Sequence, residues 1–170
     1  AQRLGPMPPL PMDNPDSGLA AFTIPGAAEA MDAQIDEGCQ SDAVTEVTAE
    51  YRDGDRLVQH ERCDFLRPTV LHVSNADDPM ANTEYMFPFC SVVECPQDEF
   101  LAKSDYTLVG SVITEDKELS RQMLDATNVD RLNIGEIKTI QLNWLQPHEG
   151  NIIDFLFRAR AFQDAPPPPH

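Results

Sequence analysis

Residues 43–65 read AVTEVTAEYRDGDRLVQHERCDF, and the way this stretch folds decides how the remainder is arranged. Asp53-Gly54-Asp55 sits between two runs that alternate apolar and polar residues. An Asp-Gly pair in that setting predicts a β-hairpin, because the tight turn needs positive φ, which glycine adopts without strain. On the first strand Val47, Ala49 and Tyr51 share one face, with Glu46, Thr48, Glu50 and Arg52 on the other. The second strand, Arg56 to Phe65, carries Leu57, Cys63 and Phe65 with Gln59 and Glu61 between them. That mixed side places the second strand at the border of a sheet.

Working outward, residues 27–38 (AAEAMDAQIDEG) predict a short helix, with Ala27, Met31 and Ile35 at four-residue spacing and Gly38 past its end. Its acidic residues read as a solvated face. Strands are expected at Thr69–Ser74 and within Tyr85–Glu94, where Pro88 points to an edge or a bend. Asp105–Thr114 is apolar on both faces, as in a strand covered on both sides, and Gly110 marks a bulge or close approach. Thr114 reads as the N-cap of a helix running to about Thr127 that buries Leu119, Met123 and Leu124. Gly135–Leu145 and Asn151–Phe162 complete the expected strands, joined by a turn at 146–150. Arg158 and Arg160 in the last strand read as partners of carboxylates on a neighbouring strand.

These elements add up to a mainly β protein. The expected architecture is an antiparallel β-sandwich-like domain with one or two short helices and proline-rich extended termini. Ten of the 15 prolines fall in residues 1–25 and 166–170, which also explains an apolar share of only 41%. The expected organisation is therefore a proline-rich arm at 1–26, a single β-rich domain at 27–164 and a proline-rich tail at 165–170. Leu4, Met7, Leu10 and Met12 are interleaved with the arm's prolines, a pattern suited to docking on a protein partner.

The formal net charge of −17 repels phosphate backbones and anionic lipid, so neither nucleic-acid nor membrane-surface binding is expected. No apolar run approaches the roughly 20 residues of a membrane span. Cys39, Cys63, Cys90 and Cys95 form an even set without a C-x-x-C pair. Two disulfides, Cys39–Cys63 and Cys90–Cys95, are expected in preference to a metal site, which favours an extracytoplasmic compartment: periplasm, lumen or secreted.

The signatures of hydrolases, zinc proteases, P-loop and dinucleotide-binding proteins are absent from the sequence. No catalytic, cofactor-binding or metal residue is assigned, and no cofactor is expected. An activity with dispersed residues would be sought first at His60, Asp64 and His72. The function expected is a non-catalytic structural or accessory subunit of a larger assembly or homo-oligomer, docking through its proline-rich arms. Two alternatives stand beside it. One is a module for Ca²⁺ or a polar small molecule, built on the acidic loops 53–55 and 75–78. The other is a virion-type structural protein with reduced cysteines.

Overall fold

The computed structural model describes residues 1–11, 13–104, 106–138 and 140–141. The chain divides into two compact units, Ala1–Lys103 and Ser104–His170. Strands and a few helices are mixed in both, and the described strands form three small sheets, none of them a barrel.

In the first unit, α1 (Ala27–Gly38) forms where the apolar spacing predicts it, burying Ala28 and Ile35. The hairpin is displaced from its expected place. β1 (Val44–Glu46) is only three residues long, and the chain then winds through a 3-10 turn, Val47–Tyr51. Asp53-Gly54-Asp55 is a bend with Gly54 at φ 81°, not a hairpin turn. The hairpin that does form joins β2 (Leu57–His60) to β3 (Cys63–Leu66), with Leu57 opposite Leu66 and His60 opposite Cys63. Its two-residue turn, Glu61-Arg62, holds Glu61 at φ 56°, a conformation a side chain adopts reluctantly. The physical cause is Thr48. Its side chain is fully buried, donates to Glu46 Oε1 at 3.0 Å and accepts from the Val70 amide at 3.1 Å. That polar anchor coils 47–51 inward and leaves them unable to run on as a strand.

β1 instead pairs antiparallel with β4 (Thr69–Val73), Thr45 facing His72. β4 pairs in turn with β5 (Phe89–Val93), giving the order β1-β4-β5. The β4–β5 pair is parallel, Val70 opposite Cys90 and His72 opposite Val92. Parallel neighbours need a crossover of about a dozen residues or more, which 74–88 supplies, including a 3-10 turn at Pro79–Ala81. The core of this unit is Ile35, Val44, Leu71, Val73 and Met80, with Tyr85, Phe87 and Phe89 packed around it. Tyr85 and Phe89 meet edge to face at 4.8 Å.

The second unit contains β6 (Thr107–Val112) and β7 (Val129–Ile134), again parallel and joined through α2 (Lys117–Asp125). A separate single helical turn, Phe100–Lys103, closes the first unit. Gly110 is a close approach, as expected: a Cβ there would lie 3.0 Å from Val129 Cγ1. The N-cap of α2 is Asp116, not Thr114. Its carboxylate accepts the Glu118 and Leu119 amides, and Thr114 Oγ1 accepts the Asp116 amide. β7 lies wholly ahead of the strand expected at Gly135–Leu145: Gly135, at φ 98°, breaks the extended run, residues 135–138 and 140–141 are not in a strand, and 142–145 lie outside the described residues. The expected strand at 151–162, Arg158, Arg160 and the tail at 165–170 lie outside the described residues.

The antiparallel expectation is thus corrected for two of the three sheets. Local alternation signals a strand but carries no information on the direction of its neighbour. Leu71 is completely buried in the centre of β4, whereas Val92 is 55% exposed on β5. Leu71→Ala is expected to lower the unfolding free energy by about 2–5 kcal/mol, and Val92→Ala to change it by less than about 0.5 kcal/mol. Urea denaturation reads both; equal losses would place the core elsewhere.

Candidate functional site

The most organised polar constellation in the first unit is a charge bridge around Arg56. Asp32 and Asp36 stand one turn apart on α1, so they share a helix face. Glu46 ends β1, Arg52 follows the 3-10 turn, and Arg56 follows the Gly54 bend. Arg56 Nη1 donates to Asp32 Oδ1 at 2.6 Å and to the Asp32 carbonyl at 3.1 Å. Its Nη2 donates to Glu46 Oε2 at 2.6 Å and to Asp36 Oδ1 at 3.0 Å. Glu46 Oε1 accepts from Arg52 Nη2 at 2.6 Å as well as from Thr48. Both arginine side chains are only 5% exposed and Glu46 10%, while Asp36 is 66% exposed.

Burial drives the Glu46 carboxyl upward, but the hydrogen bonds from Arg56 and Arg52 outweigh it and hold the group below the ordinary glutamate value. Asp32 goes the other way: burial raises it, and Arg56 only partly offsets that rise. Burial would lower Arg56, yet its bonds to Glu46 and the charge of Asp32 keep it firmly protonated. The helix acids read from the sequence as a solvated face are therefore partly interior. The available signal was two arginines, Arg52 and Arg56, among acids in a chain with few bases. The bridge ties α1, the end of β1 and the entry to β2 into one piece.

The residues singled out for catalysis are not brought together. His60 faces Cys63 across the hairpin, and Asp64, one residue along, projects to the opposite face beside Gln59. His72 lies in a different sheet, where its Nε2 is 2.7 Å from Glu94 Oε1 on the exposed face. The acidic loops are engaged locally. Asp78 accepts the Met80 amide and the Ser41 hydroxyl, Asp77 pairs with Lys103, and the Asp53 carbonyl accepts from Arg67. Among the described residues no three His, Cys, Asp or Glu side chains are grouped to hold a metal ion.

All four cysteines are free thiols. Cys90 lies within β5, and the chain stays extended as far as Glu94, whose amide donates to the Val73 carbonyl at 2.9 Å. Five extended residues span about 16 Å, well beyond the roughly 7 Å Cα limit of a disulfide. Cys39 packs against the core while Cys63 is exposed at the hairpin tip. The compartment argument built on disulfides thus has no structural support. Of the arm residues, Leu4 is exposed, Met7 and Leu10 are half-buried, and Met12 is outside the described residues. No described helix is long and apolar enough to cross a membrane.

No protein-family model and no curated protein matches the chain. Solved structures do resemble it. The NAD-dependent aldehyde dehydrogenase from Sinorhizobium meliloti superposes with a TM-score of 0.55 at 21% identity, over 76% of this chain and 25% of that one. Lactaldehyde dehydrogenase from Escherichia coli gives 0.56 at 14% identity, over 74% and 26%. The Delta-pyrroline-5-carboxylate dehydrogenase from Mycobacterium tuberculosis gives 0.51 at 24% identity, over 67% and 22%. At such identities the likeness is one of fold, and this chain spans about a quarter of the length of those structures.

Removing one partner from a buried ion pair leaves the other charge stranded. Glu46→Gln is therefore expected to cost about 3–5 kcal/mol, and Asp36→Asn, at an exposed position, less than about 1 kcal/mol. Chemical denaturation at neutral pH distinguishes the two. The depressed Glu46 carboxyl adds stability that is present above its unfolded value and is lost as pH falls through the folded one. The Glu46→Gln variant should accordingly lose less stability than wild type on acidification; parallel pH profiles would remove Glu46 from the acid response.

Proposed function

We propose that this chain is a non-catalytic structural segment of a larger assembly built on an aldehyde-dehydrogenase-like fold. The observation that carries this reading is the ratio of coverages: some three quarters of the chain resembles only about a quarter of each dehydrogenase. The strand arrangement supports it. Parallel sheets occur almost only within larger α/β proteins whose helices cover both faces. Here the parallel pairs are β4–β5 and β6–β7, and among the described residues β6 and β7 pair only with each other. The architecture this implies for each unit is part of an open α/β sheet extended by strands from the larger body, in place of a sandwich.

The role is to contribute strands and the α1 clamp to that body. The dehydrogenase activity named for the similar proteins, with its nicotinamide cofactor, would reside in the assembled whole. A metal- or ligand-binding reading has less support, because the carboxylates of the 75–78 loop hold their own backbone and Lys103.

The test pairs an activity assay with a mass measurement on the full chain. Incubated with NAD⁺ or NADP⁺ and a panel of aldehydes, the isolated chain should form no reduced nicotinamide above background. In extract of its native source it should elute well above its own 18.9 kDa mass. Turnover by the isolated chain, or elution from the extract as a monomer, would overturn the proposal.

A further inference from the structure

We infer that the outer edge of β5 is where the first unit joins the larger body: it takes a β-strand of that body, paired through the backbone of Phe89, Ser91 and Val93. This inference rests on the reading of the chain as a segment of a larger assembly. β5 ends the order β1-β4-β5, so only one of its sides is paired among the described residues. The register runs from Thr69 opposite Phe89 to Val73 opposite Val93 without a bulge. The Thr69 amide donates to the Pro88 carbonyl at 2.9 Å, and the Glu94 amide to the Val73 carbonyl at 2.9 Å. Backbone groups alternate along a parallel ladder, so residues 88, 90, 92 and 94 address β4. The N–H and C=O groups of Phe89, Ser91 and Val93 therefore point away from β4, three donors and three acceptors in a row.

The two edges of this sheet are finished differently. β1 is three residues long, and the chain leaves it at once for the 3-10 turn, with Glu46 held in the charge bridge. A very short edge strand is one of the ways proteins prevent further pairing; charge, proline and bulges are others. β5 has none of these guards. Phe89–Val93 (FCSVV) carries no charge and no proline. Pro88 does not protect the outer edge either, because it belongs to the set that addresses β4. An unguarded edge of this kind is a template for another strand.

The chemistry of the edge specifies its occupant. A row of amide donors and carbonyl acceptors at strand spacing is matched by extended backbone, as in strand addition to a sheet, whereas a helix has its own backbone groups paired already. The side chains mark the same place as unfinished. Phe89 and Val93 pack against the core, and Ser91 Oγ donates to the Met80 carbonyl at 2.7 Å. Cys90 and Val92 lie on the opposite face and are exposed. Parallel strands are covered on both faces in the proteins that contain them, and β4–β5 is parallel. The strand comes from the larger body and not from a second copy, because this chain spans only about a quarter of each solved structure it resembles.

Amide-resolved hydrogen exchange on the isolated full chain is the first test. The amides of Phe89, Ser91 and Val93 should exchange roughly tenfold or more faster than those of Cys90, Val92 and Glu94. Equal protection of the two sets would overturn the inference, since the edge would already be closed by this chain or by a second copy. The second test is elution size in extract of the native source, with each variant expressed in place of wild type. Ser91→Pro removes an outward donor and leaves the donors to β4 in place. Ser91→Ala keeps that donor and loses only the hydroxyl. Wild type and Ser91→Ala should elute in the assembly, and Ser91→Pro at its own mass. A Ser91→Pro chain that stays assembled would overturn the inference, as would release of both variants, which traces the loss to the hydroxyl. If Ser91→Pro fails to fold, the exchange comparison decides alone. Elution of the wild-type chain as a monomer would strike the assembly reading itself, and is thereby told apart from failure of the edge.

Discussion

The first unit depends on a single guanidinium. Arg56 is buried, and its two terminal nitrogens bind two acids of α1 and the glutamate that ends β1. Helix α1 has a weakly apolar face, with Ala28 and Ile35 as its buried residues. Apolar burial alone would fix its angle loosely. The arginine supplies direction, because a planar fork donates along set lines and a charged donor out of water demands its acceptors. The arrangement carries a desolvation cost that a hydrocarbon contact would avoid. What it adds is register between a helix, a strand end and a bend that have little else to hold them in relation.

Thr48 extends that control into the sheet. By accepting the Val70 amide and donating to Glu46, it connects the charge bridge to the central strand β4. Through β4 the connection reaches β5, and on the other face of that strand Leu71 and Val73 meet Ile35 and Met80. Polar and apolar cohesion therefore share one strand. In the second unit the same pattern of parallel strands recurs with a helix in the crossover, the βαβ arrangement found in open α/β folds. Solved dehydrogenase structures resemble this chain in fold over part of their length.

Elements whose signal is local were legible in the sequence. Helix α1 forms over its apolar period, β4 occupies its run of β-branched residues, and Gly110 lies where a neighbour approaches closely. The failures share a cause. The Asp-Gly bend resembled a hairpin turn, but the choice between turn and bend was made by Thr48 and Arg56, whose partners lie as many as 24 residues away. Asp116 displaced Thr114 as cap because either residue satisfies the local rule and packing picks one. The charge bridge escaped notice because Asp32, Asp36, Glu46, Arg52 and Arg56 have ordinary spacing for surface residues. Only their burial makes them a unit.

The sequence by itself determined which segments could be helical or extended, because side-chain period and backbone freedom act over a few residues. It also set the acidic surface, since charge is additive and needs no fold to count. Tertiary structure alone decided strand direction, the inward coil at Thr48, the free state of the cysteines and the meeting of Arg56 with three acids. Each of these depends on what lies across a gap of many residues. Exclusion of water there turns an average set of charges into the interaction that orients the first unit.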